Sequence, residues 1–319
     1  MKRIVPLVRL TVLCCSLILS SARSFSQSIT SGDGKFEFGL GLGPMFFLGD
    51  LGGAHGLGKT FIKDIDYPLT KFSKGLFVTV SPAEFLGIRL AINHSLVEGD
   101  DKQAPNKGGE ERFRLMRNLN FKSTILEAYV AMEFYPSVFI EQYDGLQGKI
   151  RPYGIIGVGG FHFNPKAKDD NGNWVELQPL RLEGQGFAEY PDRKPYKLTQ
   201  LEVPMGFGVK YFIRENMFVG FEVLHRKLFT DYVDDVSTNY IDPSLFDNYL
   251  SPADAALARQ LNYRGTFPQG PSAMVGEVRG DPKENDAFFS TIIRLGWRLN
   301  GYNSPNGRAS RQLRCPRFY

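Results

Sequence analysis

Eight separate stretches of this chain alternate apolar and polar residues with a period of two, and the connections between them alternate long and short. Period two sends successive side chains to opposite faces of a strand, so each stretch has one greasy and one polar face. From Lys35 to Leu48, Phe36, Phe38, Leu40 and Leu42 oppose Glu37, Gly39, Gly41 and Gly43. A shorter second stretch runs from Lys74 to Ser81 and stops at a turn around Pro82, which cannot donate to a ladder. The third sets Ile88, Leu90 and Ile92 against Arg89, Ala91 and Asn93. The fourth sets Leu126, Ala128, Val130, Met132 and Phe134 against Glu127, Tyr129, Glu133 and Tyr135. The fifth, Ile150 to Phe163, offers Tyr153, Ile155, Phe161 and Phe163 as its apolar face. In the sixth, Lys197 to Phe212, Leu201, Val203, Met205, Phe207 and Val209 oppose Glu202 and Lys210. The seventh opposes Val219, Phe221 and Val223 to Glu222 and Arg226; the eighth opposes Phe289, Ile293, Leu295 and Trp297 to Ser290, Arg294 and Arg298.

Strands of this length and rhythm predict an all-β, eight-stranded antiparallel transmembrane β-barrel of the outer-membrane kind. Closure satisfies every backbone hydrogen bond inside hydrocarbon, which an open sheet cannot do. A soluble barrel would also alternate, but with its polar face outward. Glu37, Arg89, Glu127, Glu133, Glu202, Glu222, Arg226, Arg294 and Arg298 all fall on the polar face of their strands. In a membrane they must face the lumen, since an Arg on the lipid face at mid-bilayer costs on the order of 2 to 4 kcal/mol. Eight strands leave room only for side chains, so the expected lumen is plugged and charge-lined. Opposite charges on neighbouring strands suggest the pairs Glu37 with Arg298, Arg89 with Glu133, Glu202 with Arg226, and Glu222 with Arg294. The links at 49–73, 96–121, 164–196 and 231–285 are long; those near 82, 140 and 214 are shorter. Bacterial barrels keep short turns in the periplasm, which places both termini there and the four long loops outside. Tyr135, Tyr153, Tyr211, Phe229 and Trp297 suit interfacial girdles.

Lys2, Arg3 and Arg9 precede an apolar run from Leu10 to Leu19, and Ser24-Phe25-Ser26 precede Gln27, as in a signal peptide of residues 1–26. The run is short of the roughly 20 residues a spanning helix needs. The expected organisation is therefore the signal, a barrel over 27–299, and a tail over 300–319. The signal holds four of the 38 basic residues and none of the 34 acids, so the mature chain is formally neutral. Without a basic field, nucleic acid is excluded as a partner. The tail carries Arg308, Arg311, Arg314 and Arg317 with no acid. Of the three cysteines only Cys315 survives cleavage, so no internal disulfide forms. An unpaired thiol outside the cytoplasm is inert, modified or bonded to another chain.

Little in the chain asks for chemistry, and no catalytic, cofactor or metal residues are assigned. His94 and Ser95 invite comparison with lipid-hydrolysing barrels, but adjacent strand residues point to opposite faces. His55, His162 and His225 stand singly. Asp231, Asp234 and Asp235 lack the spacing and glycine of a calcium loop and read as a solvated loop. Gly157, Gly159, Gly160, Gly206 and Gly208 lie within strands with no helix to hold a phosphate, and instead relieve crowding in a tightly curved wall. Ser251 to Gln260 reads as a short capped helix within loop four.

The Gly43-to-Gly53 stretch Gly-Pro-Met-Phe-Phe-Leu-Gly-Asp-Leu-Gly-Gly, the eight strands and the Arg-x-x-Arg-Cys-Pro-Arg-Phe ending together resemble the PorG-type outer-membrane barrel of the type IX protein secretion machine. That resemblance implies a non-enzymatic barrel tying a periplasmic ring, built partly from a lipoprotein, to the outer membrane. It also implies that residues 308–319 dock on that ring. Arg308, Arg311, Arg314 and Arg317 would meet acidic patches, Phe318 and Tyr319 would fill pockets, and Cys315 would be available for a bond across chains. The alternatives are a surface barrel whose loops bind a ligand or host surface, and a small structural barrel in outer-membrane lipid.

Overall fold

The computed structural model describes residues 35–51, 70–103, 111–140, 146–265 and 270–299. Ten strands occur among them: β1 (Lys35–Leu48), β2 (Lys71–Ala83), β3 (Leu86–Asp100), β4 (Asn120–Phe134), β5 (Ile150–His162), β6 (Pro165–Lys168), β7 (Trp174–Glu176), β8 (Thr199–Arg214), β9 (Met217–Leu228) and β10 (Ala287–Leu299). Eight pair antiparallel in the order β1-β2-β3-β4-β5-β8-β9-β10, and β10 returns to β1, closing a barrel. The β6–β7 hairpin extends from β4 beyond the barrel wall. Period-two patterning produced the eight closing strands at the expected places.

The apolar faces point outward. Leu40, Leu76, Ile92, Leu126, Ile156, Leu201, Phe207 and Ile293 are each more than half exposed, whereas the lumen-facing Arg89, Glu133, Glu222 and Arg226 have no exposure. That arrangement is stable only if hydrocarbon surrounds the barrel, so the strands span a membrane. Antiparallel pairing keeps the backbone polar groups of the wall inside the closed sheet.

β5 departs from the expectation. Tyr153, Ile155, Phe161 and Phe163 face inward and are buried, while Ile156 and Val158 face out. Both faces of this strand are apolar, so hydrophobicity could not choose between them. Arg151 shares parity with Tyr153 and is buried with it, and that was the usable signal. Tyr135 and Tyr153 are accordingly lumen residues and not girdle residues, whereas Tyr211 and Phe229 are exposed.

β3 and β4 also run beyond the apolar stripe, to Asp100 and from Asn120, so the connection between them is shorter than the 96–121 expected. Their inner face stays apolar there, through Val97, Phe121 and Ile125, after the outer face has turned polar. β2 reaches Ala83, with a register shift between Val80 and Ala83 around Pro82. Close approach of neighbouring strands explains two of the strand glycines: a Cβ on Gly157 would lie 2.3 Å from the Val130 carbonyl oxygen, and one on Gly206 would lie 2.0 Å from that of Val223.

Two clusters fill the tube. Phe77, Tyr129, Tyr153, Ile155, Phe212, Phe218 and Leu224 pack in the short-turn half. Met45, Val97, Phe121, Ile125, Phe161, Phe163 and Phe288 pack at the long-loop mouth.

Placing an arginine on the outer face should be costly at a position that a soluble barrel would tolerate. Leu90→Arg is expected to destabilise the barrel by about 2–4 kcal/mol in phosphatidylcholine vesicles. Denaturant unfolding curves that match wild type would show that this face does not meet lipid.

A filled lumen beneath an ordered cap

The short-turn half of the lumen contains one continuous polar network. Lys210 Nζ donates to Glu37 Oε2 at 2.6 Å and to Glu133 Oε2 at 3.0 Å. Glu133 also accepts from Arg89, from Tyr135 and, at 3.3 Å, from Thr79. Arg89 Nη1 reaches Glu222 Oε2 at 2.5 Å, and Glu222 accepts further from Tyr153 at 2.6 Å and from Arg294 at 2.5 Å. Glu37, Thr79, Arg89, Glu133, Tyr153, Lys210, Glu222 and Arg294 come one from each of the eight barrel strands. Three carboxylates meet three cations, so the network is neutral as a whole. Arg294 and Arg89 lie 4.9 and 5.4 Å from the centre of the Phe77 ring, adding cation–π contact to the network.

A second set lies nearer the long-loop mouth. Arg226 forks onto Glu127 with bonds of 2.6 and 3.1 Å and also donates to Ser290, while Asn93 donates to Glu127. Glu202 is fully buried and neither of its oxygens has a hydrogen-bond partner.

Of the pairs expected from strand adjacency, Arg89–Glu133 and Glu222–Arg294 are in contact. The other two are corrected: Glu37 bonds Lys210 instead of Arg298, and Arg226 bonds Glu127 instead of Glu202. Both replacements cross the lumen between strands that are not neighbours, which a narrow tube permits and a flat-sheet reading cannot foresee. Lys210, Tyr135 and Tyr153 were not among the expected lumen charges and partners. Their polar-face parity was the signal for Lys210.

Over the mouth sits a cap built from the long connections. α1 (Glu111–Arg117), α2 (Phe246–Tyr249) and α3 (Pro252–Asn262) belong to it. Ser251 caps α3, accepting from the Asp254 backbone at 3.2 Å, close to the helix start expected from sequence. The inner face of α3 buries Ala255, Ala258 and Leu261 against Leu177, Leu180, Leu182, Phe187, Ile241 and Phe246, giving the cap its own core. Glu183 ties the connections together, accepting from Arg279 at 2.7 Å and from the Ser237 and Thr238 backbones at 3.0 Å. Arg117 clamps Asp101 and donates to the Asp50 and Arg279 carbonyls at 2.6 Å.

The Asp231, Asp234 and Asp235 run is not a solvated loop. All three are buried, as is Asp286. Asp234 accepts from the Leu51 backbone, Asp286 from Val233, and Asp235 from the Tyr196 hydroxyl at 2.7 Å. Burial pushes the Asp231 carboxyl up to about 9, Asp235 to about 7 and the half-buried Asp50 to about 6, with neighbouring carboxylates adding to the rise at each. Asp234 and Asp286 are raised well above the ordinary carboxylate range for the same reason.

His94 faces outward while Ser95 is fully buried inside, so the two side chains cannot meet. Among the described residues no three His, Cys, Asp or Glu side chains are placed to hold a metal ion. Arg298 is buried near the short-turn end. Arg308, Arg311, Arg314, Cys315, Arg317, Phe318 and Tyr319, like residues 1–26, lie outside the described residues.

The fold and its interior define a small, filled, membrane-spanning β-barrel of the outer-membrane type. Among solved structures, the chain is similar to Ail, the attachment invasion locus protein of Yersinia pestis, at 8% identity and a TM-score of 0.38, covering 83% of this chain and 99% of that one. A major outer membrane protein of Thermus thermophilus matches at 13% identity and 0.37, covering 83% and 99%, and OprG of Pseudomonas aeruginosa at 13% and 0.35, covering 83% and 96%. No protein-family model and no curated protein sequence matches the chain.

Two outcomes follow from this geometry. Glu222→Ala strands Arg89 and Arg294 in the lumen and should cost about 3–5 kcal/mol, read by denaturant unfolding of the refolded barrel. For the cap, the unfolded aspartates titrate near 4 and the folded ones higher, so its stability is full below pH about 4 and declines as pH rises through about 6 to 9. Hydrogen exchange corrected for intrinsic rates should show residues 230–240 losing protection between pH 5 and 9 while β8 and β9 keep theirs. Asp286→Asn should flatten that dependence.

Proposed function

We propose that the chain is a non-enzymatic outer-membrane barrel that anchors a partner assembly, with the periplasmic ring of a type IX secretion machine as that assembly. The observation that carries the anchoring reading is the network joining all eight strands, which fills the lumen with buried charge and leaves the two ends of the barrel as the working surfaces. Short turns lie in the periplasm and the cap outside, following the habit of bacterial barrels. The secretion-machine assignment rests on the resemblance in Gly43–Gly53 and in the Arg-rich ending with Cys315. In this reading Arg308, Arg311, Arg314, Cys315, Arg317, Phe318 and Tyr319 form the docking segment for a ring lipoprotein.

The test is to tag the barrel in a long connection, purify it with and without reductant, and identify what accompanies it. A periplasmic lipoprotein should come with wild type, and any covalent adduct should vanish in Cys315→Ser. Purification of the barrel alone from both strains would end the secretion-machine assignment and leave the barrel.

A second reading is favoured by the cap having a hydrophobic core of its own, which rigidifies an outer surface as a ligand-binding barrel would require. Substitutions on the exposed Val275 and Val278 would reduce surface binding in that case without affecting secretion.

A further inference from the structure

The lipid-facing stripe of β4 ends in a lysine at the long-loop side, and that of β2 carries one there. On β2 the exposed Leu76 is followed outward along the same face by Lys74 and then Phe72, with Lys71 at the first position of the strand on the other parity; on β4 Leu126 is followed by Thr124 and Lys122, and the β6–β7 hairpin beside β4 adds Lys166 and Lys168. Lys122 and Lys166 are direct cross-strand partners, and like charges in that position repel. Lys122 and Lys168 also approach one ring from two places: their Nζ atoms lie 5.3 and 5.2 Å from the centre of Trp174, which is 40% exposed. Opposing carboxylates are fewer. Glu98 bonds Lys71 at 2.9 Å and Lys122 at 3.5 Å, Glu176 bonds Lys166 at 2.9 Å, and Asp100 accepts from the Lys102 backbone. Five lysines thus share this side with four carboxylates, one of which, Asp170 at the hairpin tip, lies 3.9 Å from Arg264.

We propose that this face binds the anionic phosphate groups of membrane-lipid headgroups. The patch is continuous with the apolar stripes that already contact acyl chains, so a lipid whose tail lies on Leu76 and Leu126 carries its headgroup to the lysines. Lysine stems lie along apolar surface while their ammonium groups reach the headgroup layer, and Trp174 is of the type that settles there. An anion between Lys122, Lys166 and Lys168 removes the repulsion that the cross-strand pairing creates.

The test uses the full chain, with Trp297→Phe so that Trp174 alone reports. In dodecyl maltoside, dihexanoyl phosphatidic acid should shift Trp174 emission at concentrations at least tenfold below those needed for dihexanoyl phosphatidylcholine. Lys122→Gln/Lys168→Gln should weaken that response at least tenfold, while the arginine pair at the same positions and Lys227→Gln on distant β9 should retain it. Far-UV circular dichroism identifies variants that have folded, and only those are scored. Equal responses to the two lipids, or an unchanged response in the glutamine pair, would overturn the proposal. A response to inorganic phosphate as strong as that to phosphatidic acid would assign the site to a free anion and overturn the lipid.

Discussion

The interaction on which the structure depends is the neutral charge network in the short-turn half of the lumen, with one residue from every barrel strand. A barrel surrounded by lipid gains little from burying apolar side chains outward, because hydrocarbon is as apolar as they are. Its interior must therefore supply specificity, and charges taken out of water are held there only if each meets its opposite with good geometry. Glu133 and Glu222 act as hubs, each accepting from at least three donors drawn from separate strands. Register across the closure between β1 and β10 is thereby tied to register on the far side of the tube. A slip of one residue on any strand would turn its member of the network into lipid.

The cap follows a different rule. It is held by a small hydrophobic core and by buried carboxylates clustered near one another, three of which sit in one run of five residues. Glu183 and Asp101 have cationic partners in Arg279 and Arg117, but Asp234 and Asp286 rely on backbone donors, and Asp231 on the Ser237 side chain. The barrel's polar interior is charge-balanced and the cap's is acid-rich, so the two parts respond differently to pH although they share the mouth of the tube.

How much of this is legible in the sequence varies with the kind of information. Lipid-facing and lumen-facing sets were readable on six of the eight closing strands, because a charge on one face of an alternating segment leaves only one orientation in hydrocarbon; the second strand received no faces. β5 was misread because both its faces are apolar and its one charge, Arg151, stands at the strand's edge. The buried state of Asp231, Asp234 and Asp235 was not readable either, since their hydrogen-bond partners Leu51 and Tyr196 and their neighbour Asp286 come from distant parts of the chain.

Local pattern alone determined that the chain closes into eight strands, which ends carry long connections, and that nine charged residues face the lumen. Pairing was decided only by the folded tube. Glu37 reaches Lys210 and Arg226 reaches Glu127 because a closed eight-stranded wall is narrow enough for long side chains to meet across it, and distance across a lumen has no counterpart in separation along a chain.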